Sequence, residues 1–309
     1  MARTMNARRA RASPAFTPLP LRSPQPFPRS TSLPTPPPCA ILPPYPASPN
    51  PAPMNRISNL ILGIAAESWV RYALTAGIAW LLASVFFKKR WQHRKIIPRD
   101  PRKADIQREI FWSSITALIY GLVGTATILI GKNGSWKLYR RIDDHGWLWF
   151  ATSIVLAILI HDTWFYWTHR LMHHRWLFKW VHRIHHQSTN PSPWAAYSFS
   201  PLEAATQACI FPILMFSIPM HPIAYAVFMT WQIVNNVIGH TGYEYFPHSL
   251  MNSWLGKFLN TPTNHIQHHE KPRGNFGLYF NYWDRLMRTN HPDYEQRFRS
   301  VTSTPRPPR

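Results

Sequence analysis

Apolar blocks about twenty residues long, separated by basic segments, constrain this chain more than any other feature. A helix of that length crosses the roughly 30 Å hydrocarbon layer of a bilayer. The first block covers 57–87 and is interrupted by Glu67 and Arg71, so its spanning part is predicted over 69–87. Residues 88–109 follow with nine Lys/Arg against three acids. Such a loop belongs on the cytoplasmic side. A second span is predicted over 110–131 and a third over 147–167. The loop between them, 132–146, holds four Lys/Arg and two acids, as expected for the opposite face. Two further blocks, 204–220 and 222–239, are parted only by His221 and read as a hairpin that dips into the membrane and returns.

Composition agrees with lipid as a solvent. Charged residues are 15% of the 309, against roughly 25% in soluble domains. The net charge of +21 would suit a nucleic-acid binder. However, no basic helix, finger or RNA-binding signature accompanies it, and the charge lies in a tail and in short loops. We therefore expect no nucleic-acid partner. The two cysteines, Cys39 and Cys209, allow neither a disulfide framework nor a CxxC metal site, so any metal is held by nitrogen and oxygen.

Residues 1–53 hold 16 of the 31 prolines, six arginines and no acid, a composition that cannot form a packed core. They read as a disordered extension. We expect sequence upstream of a true start at Met54 rather than an organelle transit peptide. The remaining organisation is expected as N-terminal transmembrane helices with a basic loop over 54–146, a catalytic domain over 147–295, and a disordered basic tail over 296–309.

Sixteen histidines are unevenly spread. His169-Arg-Leu-Met-His173-His174 follows the third span. His182-Arg-Ile-His185-His186 and His265-Ile-Gln-His268-His269 come later. On a helix, positions i, i+3 and i+4 share a face, so each HxxHH group is expected to present three imidazoles together. Imidazole suits iron, zinc or copper. Eight such rings exceed the needs of one ion, so two metals with open positions fit better. His174 is ambiguous, and His93, His145, His221, His248 and His291 lie outside the clusters. The predicted spans put every cluster on the cytoplasmic face. Paired redox metals beside a membrane point to O2 activation on a lipid. A membrane metal transporter would also need histidines, but its ligands usually sit at mid-membrane between broken helices. No HExxH zinc hydrolase motif occurs.

The runs HDTWFYWTHRLMHH (161–174), WVHRIHH (180–186), TPTNHIQHH (261–269) and NFGLYFNYWDRL (275–286) resemble the fatty acid hydroxylase/sterol desaturase superfamily. The stretch NPSPWAAYSFSPLEA (190–204) is most similar to its sterol C-5 desaturase branch. The resemblance implies an all-α integral membrane fold of about four transmembrane helices with a cytosolic histidine-rich cap. It implies two iron ions and electrons from NAD(P)H through a cytochrome b5-type or ferredoxin-type donor. Metal ligands carried over are His169, His173, His182, His185, His186, His265, His268 and His269, with His240 and His161 as further ligands. Asp162 matches a recurrent acid of the first motif. Asp162 and Glu244, and less so Asp284, are candidates to offset the metal charge and orient the rings. The implied substrate is a sterol-like lipid entering from the bilayer, the alternatives being a fatty acyl chain, an ether lipid or a carotenoid ring. Two departures from the family pattern stand out. Leu286 is followed by Met287-Arg288-Thr289 where a glycine is usual, and Thr241 stands where the branch tends to have Asp.

Overall fold

The computed structural model describes residues 53–305. The expected extension 1–53 lies outside the described residues apart from Pro53, as do 306–309. Three long helices dominate. Helix α1 (Pro53–Trp80) continues through a π-helical stretch, Leu81–Phe86. Helix α2 is Lys103–Gly131 and α3 is Gly146–Met172. Among the described residues these are the helices long and apolar enough to cross a membrane, over Met54–Phe86, Lys103–Gly131 and Gly146–Met172. Each is longer than its apolar block, because polar residues such as Asp105 and Glu109 join the helix beyond the apolar stretch. Where α1 and α2 cross, a Cβ on Gly121 would lie 2.5 Å from the Ile61 carbonyl and 2.9 Å from the Ala65 methyl. The missing side chain is what lets the backbones approach, as small residues do where membrane helices pack.

The block expected as a dipping hairpin is made of three helices. Helix α4 (Pro201–Ala208) and α5 (Ile210–Ser217) are two short rods, followed by α6 (Pro222–His240). Ser200 and His221 cap the first and third by accepting from the amides of Glu203 and Ile223, with proline at the first helical position. Helix α6 is long, but Gln232, Asn235 and Asn236 interrupt its apolar face.

The segment 191–200 is buried among these helices rather than looped over them. Tyr72 and Ser113 both donate to the Trp194 carbonyl, at 2.8 and 3.1 Å. Asn236 donates to the Ala196 carbonyl at 2.8 Å. Tyr197 stacks on Tyr72 and meets Tyr120 edge-on. A short 3-10 turn, Pro193–Tyr197, buried among helices leaves carbonyls without an internal partner, and these side chains supply it.

Helix α7 (Pro262–Glu270) is buried almost throughout. Glu244 closes its N-terminus, accepting from the amide and hydroxyl of Thr263 at 3.0 and 2.6 Å. A carboxylate there also meets the positive end of the helix dipole. Beyond 293 the chain departs from the expected disordered tail. Helix α8 (Tyr294–Ser303) buries Tyr294 and Phe298, one turn apart, against Met251. Two large aromatic rings on one face are enough to dock it, despite the basic composition.

The missing glycine of the WDRL turn leaves a visible trace. Arg288 has φ +54°, in the left-handed region where glycine is at ease. Its side chain is exposed, so nothing else compels arginine there. Arg288→Gly is expected to stabilise the protein by about 1 kcal/mol. Thermal unfolding of the two proteins in one detergent checks this; an unchanged or lower midpoint would refute it.

Candidate metal centre

Four elements deliver the histidines to one place. The buried face of α3 carries His161, Phe165 and His169, with His173 just past its end. The one-turn helix Arg183–His186 brings His185 and His186, with His182 immediately before it. Helix α6 ends on His240, and α7 supplies His265, His268 and His269. The rings sort into two groups whose ligand atoms converge: His169, His173, His182, His186 and His268 in one, His185, His240, His265 and His269 in the other.

This sorting corrects the expectation that each HxxHH trio acts together. At 100° per residue, i and i+4 are about 40° apart while i+3 is about 60° to the other side. His182 and His186 therefore join one group and His185 the other. His265 and His269 pair in the same way while His268 crosses over.

The nitrogens themselves report what belongs between them. In the first group Nε2 of His169 is 3.0 Å from Nε2 of His182, and the Nε2 atoms of His173, His186 and His268 form a triangle of 3.0–3.2 Å. In the second, Nε2 of His240 is 2.9, 3.2 and 3.4 Å from those of His265, His269 and His185. Three of these rings have a fixed tautomer. Nδ1 of His169 lies 2.8 Å from the Phe276 carbonyl, that of His240 2.7 Å from Asn236, and that of His268 2.6 Å from Gly274. A carbonyl only accepts, so each Nδ1 carries the proton and each Nε2 turns a bare lone pair inward. Burial, and then the neighbouring imidazoles, hold His182, His185, His186, His265 and His269 well below the ordinary histidine range, so these rings stay neutral at pH 7. Converging lone pairs of neutral rings repel unless a cation lies among them. Ligands about 2.0–2.1 Å from a divalent ion lie about 3.0–3.4 Å from one another in octahedral or tetrahedral arrangement, which is the spacing found. The residues present fit a metal in each group.

The carboxylates stand elsewhere than expected. Asp162 accepts the amides of Tyr279 and Phe280 at 2.8 and 3.2 Å. Asp284 accepts those of Phe276 and Gly277 at 2.9 and 2.7 Å, and the Thr289 hydroxyl at 2.6 Å. Both therefore fasten the 274–280 loop, whose carbonyls in turn hold His169 and His268. Glu244 caps α7. His161 is buried but belongs to neither group; its Nδ1 lies 2.7 Å from the Tyr279 hydroxyl. The acid that does touch a ligand is Glu203, unforeseen from sequence, with an oxygen 2.7 Å from Nδ1 of His182. Burial pushes its carboxyl well above the usual range. A cation under His182 would favour its ionised form and draw the ring into line. Its one sequence signal is Ser200-Pro-Leu-Glu203, the spacing of a helix N-terminus.

Two clusters of neutral imidazoles, set among helices of membrane-crossing length, define an all-helical protein whose histidines could hold a metal in each cluster. Residues 154–289 match the fatty acid hydroxylase family. The chain is 30% identical to a Delta(7)-sterol 5(6)-desaturase of Gibberella zeae over 69% of this chain and 63% of that one. It is 28% identical to another from Aspergillus fumigatus, over 65% and 66%, and 28% identical to lathosterol oxidase of Mus musculus, over 60% of each. The chain thus spans somewhat under two thirds of the length of most of these relatives. No solved structure matches it. Residues 154–289 are thus similar to the fatty acid hydroxylase family, and the relatives matched are sterol desaturases and a lathosterol oxidase.

Proposed function

We propose that the chain is a membrane-bound, O2-dependent di-iron oxidase that removes hydrogen from, or hydroxylates, an unactivated C–H bond of a sterol-like lipid. The convergence of nine imidazoles in two groups with inward lone pairs carries this reading. Relatives named as sterol desaturases and as lathosterol oxidase favour the sterol over a fatty acyl chain. Iron held by the two groups would supply the activation of O2. Desaturation takes two electrons from the lipid and two from NAD(P)H through a cytochrome b5-type or ferredoxin-type carrier, reducing O2 to two waters.

The chain's own residues fix the rest. Carbonyls of Gly274, Phe276 and Asn236 hold three rings in their tautomers. Phe165 and Phe199 pack against His169 and His185, with ring centres 5.0 and 5.3 Å apart, and keep water from that side. The basic loop after α1 is bound to the segment leaving His240: Ile96 donates to the Gly242 carbonyl at 3.0 Å and Glu244 to that of Arg94 at 2.9 Å. A basic loop on the same side as the histidines supports a cytoplasmic face for both.

Metal analysis of the full chain in lipid nanodiscs, paired with lipid profiling of cells with and without it, tests the proposal. The expected result is two iron ions per chain, one per group, with a sterol that has lost two hydrogens or gained one oxygen. Bound zinc alone with an unchanged lipid profile would sink the oxidase and favour a metal store.

A further inference from the structure

A one-turn helix, Lys88–Trp91, follows the end of α1, and its Trp91 packs against the segment that leaves α6. The two segments are tied together. Lys95 and Tyr243 form an antiparallel bridge, and Glu244 donates its amide to the Arg94 carbonyl at 2.9 Å. Alternate residues of extended backbone share a face. Tyr243 and Tyr245 accordingly both meet Trp91, with ring centres 6.4 and 5.4 Å from it. Trp91 and Tyr245 stand at 81° to one another and make a near right-angled corner. The three rings, Arg94 and Glu244 help line a cavity of about 290 Å³. The proposed oxidation makes no use of it.

The polar groups of this cavity are unequally engaged. Glu244 already accepts from the Phe246 amide and from the amide and hydroxyl of Thr263. Arg94 gives one nitrogen to the Phe246 carbonyl at 2.9 Å and keeps the rest of its fork. Tyr243 already carries Lys95 over its ring at 5.5 Å, and Lys95 is itself paired with Asp100. The faces of Trp91 and Tyr245 are left, beside a guanidinium. Aromatic faces attract cations. A primary ammonium wants three acceptors, which the engaged carboxylate of Glu244 does not provide; a quaternary ammonium wants none and takes its contact from rings. Level in the membrane agrees. The membrane-crossing stretch of α1 ends at Phe86, which is 69% exposed, and Trp91 follows within one short helix. The headgroup layer begins there and is roughly 5–7 Å thick on each side of the hydrocarbon.

We propose that this cavity binds the headgroup of a choline phospholipid, with the trimethylammonium in the corner of Trp91 and Tyr245 and the phosphate on Arg94. The site depends on the membrane placement of α1 and not on the metals, so it stands or falls apart from the oxidase reading. Because the segment carrying Tyr243 and Tyr245 begins at His240, a bound headgroup fixes the height of the histidine groups over the bilayer.

The test is equilibrium binding to the full chain in detergent of three radiolabelled probes: dioctanoyl-phosphatidylcholine, dioctanoyl-phosphatidylethanolamine and dioctanoyl-phosphatidylglycerol. Wild type is expected to bind the choline lipid about five-fold or more tightly than the other two. Trp91→Leu and Tyr245→Leu are expected to bind the choline and ethanolamine lipids alike, whereas Tyr245→Phe, which keeps the ring face, keeps the preference. Tyr245 is 41% exposed, so its replacement leaves the fold intact and decides the matter even if Trp91→Leu does not fold. Arg94→Gln is expected to weaken all three lipids and leave the ratio of choline to ethanolamine lipid unchanged. Equal binding of those two by wild type would overturn the proposal. A preference for phosphatidylglycerol, the mark of a plain basic patch, would overturn it too, as would a preference for choline retained in Tyr245→Leu.

Discussion

On the proposed di-iron reading, His268→Ala is expected to strip metal from the protein and reduce lipid oxidation to background. The ring is fully buried, its Nε2 lies 3.0 and 3.1 Å from those of His186 and His173, and its Nδ1 is tied to the Gly274 carbonyl. Alanine removes one ligand and opens a hole among four others. Groups that merely orient a ligand are worth about 10–100-fold in metal affinity, and loss of the ligand itself is expected to exceed that. Metal content should fall to one ion per chain or fewer. His174→Ala is the control: that ring follows His173 in the sequence but is exposed and outside both groups, so its replacement should leave metal and oxidation unchanged. Elemental analysis of the purified variants checks both, and a His268→Ala protein with full metal would remove this ring from the centre.

Asp284→Ala should be the most damaging change among the acids. The carboxylate is fully buried and answers two backbone amides and a hydroxyl at once. Its loss leaves donors unmet in a site closed to water, each worth about 1–3 kcal/mol, so the protein should lose about 3–5 kcal/mol. Metal should be lost with stability, because the loop so held supplies the carbonyls that aim His169 and His268. Asp284→Asn keeps one acceptor and should fall between the two. Unfolding in denaturant, read with metal content, measures the effect; a cost below about 1 kcal/mol would mean the loop is held by other contacts.

The residues that meet at the centre were legible because metal ligation demands side chains of one type at helical spacing. HxxHH carries that signature on its face, and His240 follows from resemblance. Which ring serves which ion was not, since it depends on the phase of a one-turn helix relative to its neighbours. The groups orienting the rings were the least legible. Three are backbone carbonyls, which have no identity in a sequence. The fourth, Glu203, occupies a helix N-terminus where an acid already has an ordinary reason to be. Asp162 and Glu244 drew attention as acids near histidines, yet their oxygens answer amides. The three long helices followed from apolar length. The break of 204–220 into α4 and α5, and the docking of α8 by Tyr294 and Phe298, depend on tertiary partners that no local pattern names.

One difference between the two groups sets how the protein will age. All four rings of the His240 group are buried, whereas His173, in the other group, is partly exposed and borders an open cavity of about 550 Å³ shared with Arg170, His174 and Arg273. A chelator or a competing ion meets the centre there first. If each group holds an ion, as proposed, stored or dialysed protein will therefore drift toward a half-loaded form, with the surviving ion under His240. Reconstitution will run through the same door, filling the exposed His173 position first and the sealed His240 position slowly.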